Sequence, residues 1–488
     1  MSMIKIENLT FSYPTSYDNV FENVNFQIDT DWKTGFIGRN GRGKTTFLNL
    51  LLGKYEYSGK IISSVPLDYF PYDVEDKSRM VEEVLSEVCP SAEEWEFMRE
   101  LSLLDVDMEV LWRPFETLSN GEQTKVLLAA LFLNEGHFLL IDEPTNHLDM
   151  KARENISDYL KKKKGFLLVS HDRAFLDSCV DHILSLNKTD ISVQSGNLST
   201  WMTNFERQQN YEKTQNERLQ KEVRKLKQAA KRSAAWSDKT EAGKYGAGPV
   251  DRGFIGHKSA KMMKRSKSIE ARRQQAYDEK SKLLKNAETT ESLKIYTLPY
   301  FTDTLAAFSD VEIYYDDNKV CEPVSFTICQ GERVAIEGKN GSGKSSLLKL
   351  LLGKNIKHTG TVSVGSGLVV SYVPQDTSHL QGKLNDFAEM QGIDETLFKA
   401  ILRKLDFERV QFEKDISDFS GGQKKKVLIA KSLCEKANLF VWDEPLNFID
   451  LYSRMQIEEL IKEFSPTMIF VEHDRIFRET VATKIVTI

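Results

Sequence analysis

Gly38–Thr46 reads GRNGRGKTT, and Gly338–Ser346 reads GKNGSGKSS. Both fit the pattern G-x-x-x-x-G-K-[ST]. In such a loop, glycines let successive backbone N–H groups converge on a phosphate, and the following helix N-terminus adds partial positive charge. The β-leaning stretches Thr34–Ile37 and Arg333–Ile336 run into the loops, and the helix-periodic FLNLLLGK and SLLKLLLGK follow them. Strand, loop, helix is the context this motif requires. The candidate phosphate ligands are therefore Gly38, Asn40, Gly41, Gly43, Lys44, Thr45 and Thr46, with Gly338, Asn340, Gly341, Gly343, Lys344, Ser345 and Ser346 in the second loop. Lys44 and Lys344 are expected to reach the β- and γ-phosphates, while Thr45 and Ser345 hold Mg2+ through their hydroxyls.

Three further stretches repeat in the same order. LSNGEQ at Leu118–Gln123 returns as FSGGQK at Phe419–Lys424, and FLLIDEPTNHLD at Phe138–Asp149 as LFVWDEPLNFID at Leu439–Asp450. LVSHDRAF at Leu168–Phe175 returns as FVEHDRIF at Phe470–Phe477. The offset stays between 300 (Lys44 to Lys344) and 302 (His171 to His473). A near-constant offset over four motifs means a tandem duplication of one α/β domain, with residues in between that repeat nothing. In each DEP an apolar strand ends in two acids. The first, Asp142 or Asp443, is placed for Mg2+ and the second, Glu143 or Glu444, for orienting the attacking water. His171 and His473 follow the next apolar strand and are candidates for a γ-phosphate contact.

The chain has 488 residues, 40% hydrophobic and 28% charged, the profile of a globular protein with room for two to four domains. Its longest unbroken apolar run, Val126–Leu133, is far short of the roughly 20 residues a membrane helix needs. MSMIKIENLTFSYP lacks a basic stretch followed by an apolar one, so no secretion signal is expected and the location is expected to be cytoplasmic. Five scattered cysteines without a CxxC read as reduced structural thiols. The net charge of −6 conceals a basic segment: residues 211–286 hold 21 Lys and Arg against 9 Asp and Glu. That is where a polyanionic partner is expected.

With these motifs, both copies resemble ATP-binding-cassette (ABC) nucleotide-binding domains. The resemblance implies that the phosphate loop of one domain faces the signature motif of the other, with two ATP molecules between them. Site one would combine Lys44, Thr45, Asp142, Glu143 and His171 with Ser420, Gly422 and Gln423. Site two would combine Lys344, Ser345, Asp443, Glu444 and His473 with Ser119, Gly121 and Glu122. Tyr13 and Tyr315 match the aromatic that stacks on adenine, and Gln375 in SYVPQD matches the Q-loop glutamine that helps coordinate the metal. Tyr72 in DYFPYD stands where the first copy should carry that glutamine, Arg42 stands where a serine is usual, and Asn120 and Glu122 alter the first signature. Unequal sites are expected.

Residues 201–236 contain no Gly or Pro and read as one helix of about 54 Å at 1.5 Å per residue. A thin seam, Leu219, Val223, Leu226 and Ala230, is answered by Met262, Ile269, Ala276 and Leu283, which suits an antiparallel coiled-coil hairpin. Glycines and Pro249 break the periodicity near 237–257, marking a tip that carries Lys239, Lys244, Tyr245, Arg252 and Phe254. With Lys261, Lys264, Arg265 and Lys267 these residues suit RNA phosphates and bases. The expected organisation is domain 1 over 1–200, a basic hairpin linker over 201–292 and domain 2 over 293–488. Such a chain resembles the ABC-F family. GRNGRGKTT, LLDVDMEVLWRPFETLS, WDEPLNFID, KYG and KMMKRSK are similar to its Lsa-type antibiotic-resistance members. The resemblance implies a monomer whose ATP-closed domains bind the ribosomal exit site, contacting large-subunit rRNA and peptidyl-tRNA. The linker tip would protect the peptidyl-transferase centre from lincosamides, pleuromutilins and group A streptogramins. A housekeeping ABC-F translation factor is the alternative. An importer ATPase, which needs a membrane subunit, and a DNA-maintenance ATPase fit the long basic linker less well.

Overall fold

The computed structural model describes residues 2–14, 19–145, 148, 150–186, 191–211, 214–215, 218, 221, 225, 228, 260–261, 263–264, 267–268, 271–272, 275, 293–315, 318–339, 341–407 and 409–488. Contacts divide the chain into two units: one comprises Met1–Leu198 with Thr290–Ile488, the other Ser199–Thr289.

In the first unit each copy is built on a mainly parallel sheet. Copy one has six strands in the order Leu67–Phe70, Phe138–Asp142, Phe166–Val169, Lys33–Gly38, His182–Leu186 and Ile191–Ser195. The last pairs antiparallel and the others parallel. Copy two has five parallel strands: Val370–Val373, Leu439–Asp443, Met468–Val471, Arg333–Glu337 and Lys484–Thr487. The central strands are near-continuous apolar runs because both faces are covered. Phe138, Leu140, Phe166, Leu168, Phe440 and Trp442 are fully buried. A second, antiparallel sheet accompanies each copy, with Met3–Phe11 between Phe21–Asp29 and Ser58–Ser63, and Thr304–Tyr315 between Val324–Cys329 and His358–Val364. In copy one, Ile4, Ile6 and Leu9 of this sheet pack in one cluster with Phe36 of the parallel sheet and with Phe47 and Leu48 of the helix Lys44–Leu51.

The phosphate loop therefore leaves the C-terminal end of a central strand, where parallel α/β sheets place their ligands. The helices Lys44–Leu51 and Lys344–Leu351 start from Gly43 and Gly343, held at φ 96° and 90°. A side chain at Gly43 would be strained there, and its Cβ would sit 2.6 Å from Val20 Cγ1. The helices Asn120–Leu131 and Gly421–Cys434 both begin with a capping box, Ser119 with Glu122 and Ser420 with Gln423.

Every described residue of the second unit is helical, and Lys261, Lys264 and Lys267 are exposed. The seam residues Leu219, Val223, Leu226, Ala230, Met262, Ile269, Ala276 and Leu283 lie outside the described residues, as do Arg265 and the tip residues Lys239, Lys244, Tyr245, Arg252 and Phe254. All five cysteines are free. Among the described residues, no helix is long and apolar enough to cross a membrane.

Trp442 fills the core of copy two and donates its Nε1 proton to Ser432 Oγ at 3.0 Å. Trp442→Ala should destabilise that domain by about 3–5 kcal/mol, seen as a lowered thermal midpoint of the full chain. Trp112→Ala, at a residue 54% exposed, should shift stability by no more than about 0.5 kcal/mol. Equal shifts would mean that this core does not limit the domain.

Candidate nucleotide site

Each loop lysine curls over its own loop. Lys44 Nζ donates to Gly38 O at 2.6 Å and to Asn40 Oδ1 at 3.2 Å; Lys344 Nζ donates to Gly338 O at 2.8 Å and to Lys339 O at 2.7 Å. Burial holds the Lys44 ammonium below its usual pKa. Beside the lysines, Thr45 Oγ1 lies 3.4 Å from Asp142 Oδ2, and Ser345 Oγ lies 3.1 Å from Asp443 Oδ1. Burial raises both carboxyls, Asp443 to about 6. A hydroxyl paired with a desolvated carboxylate is an oxygen donor set that fits Mg2+. Tyr13 OH is 2.7 Å from Thr46 Oγ1 and Tyr315 OH is 2.9 Å from Ser346 Oγ, so both tyrosines stand at the start of the phosphate-loop helices. Asn340 lies outside the described residues.

Glu143 and Glu444 both adopt left-handed backbone, at φ 52° and 48°. For a glutamate this costs on the order of 1–3 kcal/mol, a strain found where surroundings dictate a side chain's aim. Each faces the histidine of its own copy: His171 Nε2 is 3.3 Å from Glu143 Oε1, and His473 Nε2 is 3.3 Å from Glu444 Oε1. Their electrostatics differ. Burial and the neighbouring Asp142 push Glu143 up to about 8. Burial acts in the same direction on Glu444, but hydrogen bonds from His473 and Gln375 and the charge of Lys425 outweigh it and hold Glu444 at about 2. Burial, with Lys44 and Arg454 nearby, keeps His171 well below its usual pKa.

The two copies meet at these loops. Asn40 Nδ2 donates to Phe448 O of the other copy at 2.5 Å. A Cβ on Gly422 would sit 2.8 Å from Asn40 Nδ2 and 2.3 Å from Phe448 O, so only glycine fits that approach. The first phosphate loop thus lies against the second signature segment. On the other side, a cavity of about 450 Å3 is lined by Tyr315, Lys344, Ser345, Gln375 and Glu444, together with Leu148 and Arg153 of copy one. Gly121 of the first signature packs near Leu148. Glu122 accepts from Ser119 Oγ at 2.7 Å, so this acid engages the hydroxyl in its own capping box.

Tyr72 does not reach the acids. Its hydroxyl donates to Glu87 Oε1 at 3.1 Å, whereas Gln375 faces Glu444. Sequence reasoning missed Tyr69, whose hydroxyl donates to Asp142 Oδ2 at 3.2 Å, and its counterpart Tyr372, pushed up to about 12 by burial and by Asp443. The signal was present: DYFPYD and SYVPQD carry a tyrosine at the same place. It also missed Arg153 and Arg454, each donating Nε to the backbone after the acidic pair, at Leu148 O and Ile449 O. Each also donates Nη1 to the aspartate beside the histidine, Asp172 or Asp474.

Two sheets ending in phosphate loops and acid pairs, each facing the other copy, define a tandem ABC-type ATPase. A family model described as ABC transporter matches residues 21–146 and 321–447. The ribosome protection protein VmlR of Bacillus subtilis is 30% identical, the match covering 98% of this chain and 85% of VmlR. ABC transporter F family member 2 of Arabidopsis thaliana is 26% identical, covering 100% of this chain and 76% of that protein. Among solved structures, the complex of archaeal ribosomal stalk protein aP1 with archaeal ribosome recycling factor aABCE1 matches with a TM-score of 0.63. At 19% identity over 98% of this chain and 87% of that chain, it shows the fold alone. The chain belongs to the ABC-F family and is an ATP hydrolase.

Gln375→Ala should lower steady-state ATP turnover at least about fivefold by removing a side-chain hydrogen bond that orients the Glu444 carboxylate. Tyr72→Ala should leave turnover within about twofold, because its hydroxyl serves Glu87. Equal losses in a phosphate-release assay would mean that the two loops act alike.

Proposed function

We propose that two ATP molecules with Mg2+ close the tandem domains into a form that binds the ribosomal exit site in the cytoplasm. From there the linker tip protects the peptidyl-transferase centre against lincosamides, pleuromutilins and group A streptogramins. The approach of the first phosphate loop to the second signature segment carries this reading, since a nucleotide held on that loop would lie between the two copies. Similarity to a ribosome protection protein over 98% of the chain supports the direction of the output.

At each site the lysine would exchange its own loop carbonyls for the β- and γ-phosphates, and the signature serine would present a helix N-terminus to the γ-phosphate. Thr45 with Asp142, and Ser345 with Asp443, would hold Mg2+, which neutralises phosphate charge. Glu143 and Glu444 would orient the attacking water, and His171 and His473 would hold each glutamate in place while touching the γ-phosphate. Tyr13 and Tyr315 would stack on adenine.

The linker reading stands on the sequence: 21 basic against 9 acidic residues across 211–286, with Lys261, Lys264 and Lys267 exposed on helix. Such a segment suits rRNA and peptidyl-tRNA. Replacing Lys239–Phe254 with a short Gly-Ser turn should leave basal ATPase within about twofold, because no nucleotide motif lies there. The same change should abolish the rise in inhibitory drug concentration that the intact chain confers on a sensitive bacterium. Protection that survives the replacement would sink the drug-protection reading and favour a housekeeping translation role.

A further inference from the structure

Among the described residues, several side-chain contacts join the copies on the site-one side. Arg42 Nη2 lies 3.3 Å from Asp406 Oδ1, Arg39 Nε lies 3.8 Å from Asp406 Oδ2, and the Arg39 guanidinium sits 5.3 Å from the centre of the Tyr452 ring. Deeper in, Arg173 is 3% exposed and donates Nη1 to Glu458 Oε2 at 3.1 Å. Its Nη2 pairs with Glu458 Oε1 and lies 3.5 Å from Asp474 Oδ2, which also accepts from Arg454 Nη1 at 2.9 Å.

Duplication should have produced each contact twice, yet the matching positions on the site-two side carry different chemistry. Ser342 stands for Arg42, Lys151 for Tyr452 and Ser157 for Glu458. Asp105, matching Asp406, pairs with Lys151 of its own copy at 3.4 Å. Arg475, matching Arg173, turns to Glu479 on its own helix at 2.7 Å. Where the ion cluster would be, Glu154, Ser157, Asp158, Asp172, His473 and Arg475 line a crevice of about 350 Å3, and the charge of Glu154 acts on Arg475 across it.

We propose that Arg173 with Glu458, reinforced by Arg42 with Asp406, is a one-sided clasp that keeps site one shut and leaves site two as the side that opens for nucleotide exchange. A guanidinium fork on a carboxylate fixes the relative orientation of two surfaces, and stranding either charge in the interior is costly, so the contact resists parting. The clasp also reaches the chemistry. Arg173 lies two residues after His171, so its pairing with Glu458 fastens the loop that carries the site-one histidine to copy two. Arg173 is thus a positioning residue.

The inference rests on the two-site reading above, and the test separates the two. Full-length Glu143→Gln/Glu444→Gln protein is loaded with methylanthraniloyl-ATP and Mg2+, and dissociation is followed by fluorescence. Two nucleotides should leave in two phases, and Lys44→Ala should remove the slow one. Arg173→Gln should speed the slow phase at least about fivefold and leave the fast phase within about twofold. Ser157→Glu adds a carboxylate opposite Arg475 and should slow the fast phase at least about threefold, a readout that stands even if Arg173→Gln does not fold. Phases unmoved by these variants, or sped equally by Arg173→Gln, would overturn the clasp. A stoichiometry of one nucleotide per chain would sink the two-site reading itself, and the clasp with it.

Discussion

Asn40 and Phe448 are 408 residues apart, yet the side-chain amide of one meets the backbone carbonyl of the other beside Gly422. The rest of the molecule is arranged around that approach. A phosphate loop alone offers N–H groups and a lysine on one side of a nucleotide. Completing the site needs donors on the far side, and the N-terminus of the other copy's capped helix can supply them. Both copies must therefore carry all the motifs in one order, and each needs a rigid sheet to bring its strand ends to the shared face. On the reading proposed here, closure, hydrolysis and any output through the linker all follow from the demand that neither copy can complete a site alone.

Much of this was legible in the sequence because the chemistry is local. Glycines at φ near 90°, a lysine after them and two acids ending a buried strand leave signatures a few residues long. The four repeated motifs located Lys44, Asp142, Glu143 and His171 with their counterparts. What was not legible depends on distance in space. Arg42 read only as a departure from serine, and its partner Asp406 became visible once the copies were folded together. Tyr72 was recognised as a departure, but nothing in DYFPYD says that its hydroxyl turns to Glu87 while Tyr69 bonds Asp142.

The copies have also diverged in their buried charges. In copy two Lys425 Nζ donates to Pro374 O at 2.9 Å, next to Gln375, and burial lowers it to about 8. Glu472 accepts from Leu446 N and His473 N. Thr124 and Ser170 occupy the matching places in copy one, where Ser170 Oγ lies 3.2 Å from Thr145 Oγ1. Buried charges are weak contributors to net stability but specify arrangement, because the alternative leaves a charge unpaired in the interior. Lys425, which has Thr124 in its place in copy one, is among the groups that hold Glu444 low, whereas burial and Asp142 push Glu143 high.

The most direct test of the central claim asks which signature completes which site. In a Lys344→Ala background only site one should turn over. Ser420→Ala and Ser119→Ala each remove a helix cap of about 1 kcal/mol, so their costs to folding are matched. Single-site ATP hydrolysis should fall at least about tenfold with Ser420→Ala and stay within about twofold with Ser119→Ala. The reverse pattern, loss with Ser119→Ala and not with Ser420→Ala, would mean that each copy uses its own signature and would contradict the shared-site account.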